Sequence, residues 1–222
     1  MNYLEPLFEN YTTNAEPTDV DPYGTIILCR KSLSPSFSVT DLPSRMGRKL
    51  MVTHIPGGVT IGSVHFESLA NEKLRQQQLK ICNSLLNKVD NLNILVGDFN
   101  FYSYRNFNGR GPLENRVLGE EMPGFIDAWE EKVRKMNGSE NKEKEKEKDK
   151  GYTFDTDINE MLTDSHPHER MRYDRVMYFD RTATNSNSNS NSNSEWSLEF
   201  FSVSSSAAAR NPYFIHFNTN GF

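Results

Sequence analysis

The run Leu92 to Val96 (LNILV) leads directly into Gly97-Asp98-Phe99-Asn100. A short apolar stretch closed by chain-bending residues reads as a buried strand with a functional end. It sets a carboxylate and a carboxamide two residues apart where the strand leaves its sheet. On extended backbone, side chains two apart share a side. Asp98 and Asn100 are therefore expected to converge on one substrate, one accepting a proton and the other donating a hydrogen bond. Gly97 lets the backbone bend or approach closely at that edge. The competing reading is a plain turn, since Asp and Asn both turn chains well.

The rest of the chain supplies partners for such a strand. Tyr23 to Lys31 is rich in β-formers, and a loop holding Pro35 and Pro43 follows. Arg48 to Ile55 and Val59 to Phe66 read as two strands joined through Pro56-Gly57-Gly58, a hairpin signal. Leu74, Leu79, Ile81, Cys82, Leu85, Leu86 and Val89 recur at near-helical spacing and predict a helix from Asn71 to Val89. Pro123 to Lys132 suggests a short element; Tyr173 to Phe179 and Trp196 to Val203 suggest further strands. Strands and one long helix without strict βαβ periodicity favour an α+β layered sandwich.

A length of 222 residues suits one domain. Low-complexity insertions are expected at 138–150, where charge alternates, and at 184–195, an Asn-Ser repeat; neither composition builds a core. The formal net charge of −5 supplies no global basic field for nucleic acid, so a phosphate-directed enzyme would rely on a metal and local Arg or Lys. Cys29 and Cys82 lie in apolar runs and read as buried free thiols, which suits an intracellular compartment. No apolar stretch approaches the roughly 20 residues of a membrane span, and the N-terminus has no secretory pattern. A monomer with no membrane partner is expected.

Other segments carry chemistry-bearing residues. His65 and Glu67 are two apart near the end of the second hairpin strand, suited to binding a phosphate or steering a proton, or to a structural hydrogen bond. Arg172-Tyr173-Asp174-Arg175 opens a later strand; its Asp reads as a salt-bridge partner or as a group beside a metal or a histidine. Tyr152 and Phe154 stand in a loop as core lids or as stacking surfaces for bases.

In order, Tyr23-Gly24-Thr25, Met46-Gly47-Arg48-Lys49-Leu50, Val64 to Ser68, Arg75 with Gln78-Leu79, Gly97 to Asn100, Ile126 to Glu130, Tyr152 to Thr156 and Arg172 to Arg175 resemble the endonuclease/exonuclease/phosphatase superfamily, and within it the tyrosyl-DNA phosphodiesterase 2 branch. Phe154 replaces that branch's Trp. The resemblance implies a four-layer α/β sandwich of the DNase I-like type, incomplete at both ends. It implies Mg²⁺-dependent phosphodiester hydrolysis, Mn²⁺ serving as well, on a DNA 5′ end carrying a tyrosyl adduct, in the nucleus. Asp98, Asn100, His65 and Asp174 would be catalytic. Tyr23, Phe66, Glu67, Ser68, Leu69, Phe101, Tyr102, Phe154 and Tyr173 would line the DNA.

The chain departs from the family where the metal-binding Glu and the final Ser-Asp-His are expected. After Asp174 it offers only His216, and Asp164-Ser165-His166 precedes Arg172. Poor activity is therefore one expectation. A non-catalytic remnant, or a phosphodiesterase acting on RNA, lipid headgroups or inositol phosphates, is the alternative.

Overall fold

The protein's structure, a computed structural model, describes residues 8–14, 24–87, 91–106, 111–137, 151–159, 168–181, 196–200 and 215–219. It divides into two compact units, Met1–Thr184 and Asn185–Phe222. Both expected low-complexity insertions, 138–150 and 184–195, fall outside the described residues.

In the first unit, β1 (Tyr11–Thr13) pairs antiparallel with β2 (Leu28–Arg30). The strand expected from Tyr23 is thus confined to its last residues. A six-stranded sheet follows, built from β3 (Ser36–Asp41), β4 (Lys49–Ile55), β5 (Val59–His65), β6 (Leu92–Asp98), β7 (Ile126–Asp127) and β10 (Asp174–Asp180), in the order β3-β4-β5-β6-β10-β7. The helices are α1 (Glu72–Leu86), α2 (Asn115–Glu121) and α3 (Ala128–Asn137), and β8 (Phe154–Asp155) pairs with β9 (Arg170–Met171).

The hairpin β4–β5 turns through Gly57 and Gly58 at φ of 103° and 89°, values that glycine adopts without steric cost. It sets Leu50 opposite Val64. β5 and β6 are parallel and connected through α1, whereas β6 and β10 are antiparallel. Period-two alternation sends Leu50, Val52, Val64, Leu95 and Met177 into one core with Leu79, Cys82 and Leu86 of α1, Leu118 of α2, and Met122. Three leucines crowd Gly62: a Cβ there would stand 3.1 Å from Leu50 Cδ1 and Leu95 Cδ1 and 3.2 Å from Leu86 Cδ1. A bare position in β5 is what lets α1 lie close on the sheet.

β3 occupies the stretch between Pro35 and Pro43 that reads as loop from sequence. Its core-side commitment is weak, with most residues exposed, so composition alone gave little strand signal. α2, polar and short, gives none either. The second unit holds β11 (Trp196–Phe200) antiparallel to β12 (Ile215–Thr219), the latter including His216.

Candidate active site

Three adjacent strands carry polar residues at the same edge of the large sheet. β5 ends on His65, β6 ends on Asp98, and β10 begins on Asp174. His65 is the cross-strand partner of Asp98 in the parallel pair, and Asp174 is its partner in the antiparallel pair. The row His65–Asp98–Asp174 is thus fixed by backbone pairing. Beyond the strand ends, Phe66 N donates to the Asp98 carbonyl at 2.8 Å and Phe99 N donates to the Tyr173 carbonyl at 2.9 Å. Gly97, at φ 134°, faces Val64: a Cβ would meet the Val64 carbonyl oxygen at 1.9 Å. Only glycine permits the spacing of β5 and β6 just beside the site.

Burial dominates the electrostatics. His65 Nε2 lies 3.5 Å from Asp98 Oδ2. Desolvation, followed by the Arg48 guanidinium, lowers the imidazole to about 4, so at neutral pH the ring is neutral. Burial raises the Asp98 carboxyl, offset by the Asn100 N–H and the charges of Arg48 and Arg75. Burial, then the charge of Asp98, raises Asp174 to about 6, against a hydrogen bond from Thr153 that lowers it. Two neighbouring carboxylates, both disfavoured as anions, are a candidate proton-transfer site.

Buried arginines brace the surrounding loops. Arg75 is fully buried, pairs with Glu114 through two nitrogens, and donates Nη1 to the Glu67 and Leu69 carbonyls, both at 2.7 Å. Arg172 forks onto Asp127 at 2.8 and 3.1 Å. Arg175 reaches Asn115 and Asp127 with one nitrogen, donates the other to the Phe101 carbonyl at 3.1 Å, and stacks 4.6 Å over the Phe101 ring. The arginines flanking Tyr173-Asp174 therefore tie the loop after Asp98 to the start of α3.

No family profile and no curated protein matches this sequence. The fold does find relatives. Truncated TDP2 of Caenorhabditis elegans superposes with a TM-score of 0.50 at 22% identity, over 80% of this chain and 64% of that one. The chain has the endonuclease/exonuclease/phosphatase fold. An endonuclease/exonuclease/phosphatase from Beutenbergia cavernae follows at 18% identity and TM-score 0.41, over 65% of this chain and 37% of that chain. The human Nocturnin catalytic domain with bound sulfate follows at 12% and 0.47, over 80% and 64%. This chain thus spans less than two thirds of the TDP2 chain.

Within the endonuclease/exonuclease/phosphatase fold, the expected residues divide into two groups. His65, Asp98, Asn100 and Asp174 come together, but not as extended-chain geometry implies. Asn100 has left the strand, with φ 54°; its N–H donates to Asp98 Oδ1 at 2.8 Å and its Nδ2 donates to the Phe66 carbonyl at 2.9 Å. The carboxamide thus splints two loops. Leu69 is exposed, and Ser68 receives Arg48 Nη2 at 2.8 Å. Phe154 and Tyr173 form a half-buried ring pair with centroids 5.7 Å apart.

Other expected substrate contacts require correction. Phe66 and Phe101 are buried in the core, where their rings edge onto Phe99, so neither can stack on a ligand. Glu67 is wholly buried, and its carboxylate accepts from the Ser44 hydroxyl and from Arg45 N at 3.0 Å. The strand ends at His65, so the shared-face argument for Glu67 fails there. Tyr102 is buried, with its ring 5.2 Å from Tyr104 and 6.2 Å from Tyr152. Tyr23 lies outside the described residues. Arg48 and Thr153 were missed as site residues because they act through neighbours distant in sequence.

Mg²⁺ prefers hard oxygen donors, and two carboxylates stand at this edge. Among the described residues, however, no three His, Cys, Asp or Glu converge to hold a metal ion. The described donor set does not make a metal site by itself. Among the described residues, no helix is long and apolar enough to cross a membrane.

Proposed function

We propose that this chain is a phosphodiester hydrolase of the tyrosyl-DNA phosphodiesterase 2 type, acting on a 5′-phosphotyrosyl DNA end. The observation that carries the reading is the His65–Asp98–Asp174 row, in register across three strands. The similarity of fold to truncated TDP2 supports it.

In this reading Asp98 orients the attacking water and accepts its proton, since its carboxylate already holds a fixed orientation through the Asn100 N–H. The neutral imidazole of His65 donates one hydrogen bond to a non-bridging phosphate oxygen. Asn100 keeps the Phe66 and Asp98 loops together rather than being wholly devoted to substrate. Asp174, raised to about 6, exchanges a proton with the phosphate side of the site. The exposed Leu69 and the Phe154–Tyr173 pair offer apolar and stacking surface, which replaces the missing basic field.

The test is turnover of a 5′-phosphotyrosyl oligonucleotide, with and without Mg²⁺ or Mn²⁺, by the 222-residue chain and by Asp98→Asn. Turnover by the first and not the second supports the reading. Equal background in both favours a non-catalytic chain, the second reading, which the lack of a converging metal set among the described residues supports.

A further inference from the structure

Thr153 stands two residues after Gly151, at the start of the segment that follows the charge-rich stretch. Gly151 has φ 62°, and a Cβ there would lie 2.5 Å from Trp129 Cε2, so the segment is pressed against the first turn of α3. Its next anchors are β9 and the start of β10. Thr153 N donates to the Met171 carbonyl at 3.0 Å. Thr153 Oγ1 accepts from Tyr173 N at 3.1 Å and from Asp174 N at 3.0 Å. Thr153 also holds the Asp174 carboxyl down against the burial that raises it. One oxygen thus meets two consecutive backbone amides, those of Tyr173 and of Asp174, the first residue of β10.

We propose that the Thr153 hydroxyl is a positioning residue that fixes Asp174, in backbone and side chain, opposite Asp98. The inference rests on the proposed hydrolase for its catalytic meaning, but its geometry stands independently. A single hydroxyl oxygen can accept from amides and donate to a carboxylate at once, which Val and Ala side chains cannot do. Asp174 is faced by Asp98 on β6, with the neutral His65 one strand further on, and the charges of Arg48 and Arg75 act on Asp98. Thr153, together with the Asp174 backbone N–H, favours the anion there.

The test compares Thr153→Val, Thr153→Ala and Thr153→Ser in the 222-residue chain. Carboxyl-carbon NMR titration of Asp174 reads the result without any substrate. Loss of a hydrogen bond to a carboxylate raises its midpoint by about one pH unit. Val and Ala are expected to show that rise, and Ser to stay within about a third of it. Ala decides the matter if Val does not fold. An unmoved midpoint in the folded Val or Ala variant overturns the proposal, as does a Ser variant that behaves like Val. In turnover assays the acidic limb of kcat/KM is expected to move with the midpoint. Absence of turnover in every variant, the parent included, overturns the hydrolase reading while the titration still decides the role of Thr153.

Discussion

Asp98 and Asp174 sit directly opposite each other in the antiparallel pair β6–β10. Burial raises both carboxyls, and burial followed by the charge of Asp98 lifts Asp174 to about 6 from its ordinary 3.8.

The sign of the stability effect follows. An aspartate whose folded pKa exceeds its unfolded value binds protons more readily in the native state. Its contribution is most favourable below pH 3.8 and is lost as pH rises through about 6. Asp174→Asn removes that loss. The variant is expected to be more stable than the parent at pH 7, by on the order of 1–3 kcal/mol, with a flatter stability profile between pH 4 and 6. Urea midpoints at the two ends of that window check this; a less stable variant at pH 7 contradicts it.

Asp98→Asn keeps an oxygen for the Asn100 N–H, so the fold is expected to survive. Loss of the proton acceptor lowers phosphodiester turnover by about 10²–10⁴. Comparable turnover in the variant would remove Asp98 from the mechanism.

Gly97→Ala forces a Cβ into the Val64 carbonyl at a φ of 134°. Strain and clash together are expected to cost at least about 3 kcal/mol. Thermal unfolding measures this, and a shift of only a degree or two would show that β5 and β6 separate easily.

Asp127→Asn withdraws the carboxylate shared by Arg172 and Arg175, whose side chains are 3% and 0% exposed. The cap on α3, where Asp127 Oδ1 accepts from Trp129 N and Glu130 N, is kept by the amide oxygen of Asn. Leaving buried guanidinium charge undercompensated is expected to cost about 3–5 kcal/mol. A denaturant midpoint close to the parent's would show that Glu130 takes over the pairing.

The hairpin, α1 and the Asp98 strand were legible because apolar runs and glycine turns are local signals. α1 runs Glu72–Leu86, close to the expected Asn71 to Val89. The convergence of His65, Asp98 and Asp174 came from resemblance, since no local pattern encodes pairing between segments so far apart. Glu67 was misplaced because the period-two rule was carried past the last residue of β5. Asn100 was misplaced for the same reason, its φ of 54° having turned the side chain back to the Phe66 carbonyl. The burial of Arg75 and Arg175 has no local signal in the sequence, and only the fold supplies the acceptors that make it tolerable.

The strand order has a consequence for biosynthesis. β10 lies between β6 and β7, although both precede it in the chain. While the ribosome has yet to release Asp174–Asp180, β6 can pair with β5 but offers its other edge, LNILVGD, to any passing strand. A nascent or prematurely terminated polypeptide ending before Asp174 therefore exposes an apolar edge with Asp98 at its tip, open to edge-to-edge association until β10 arrives.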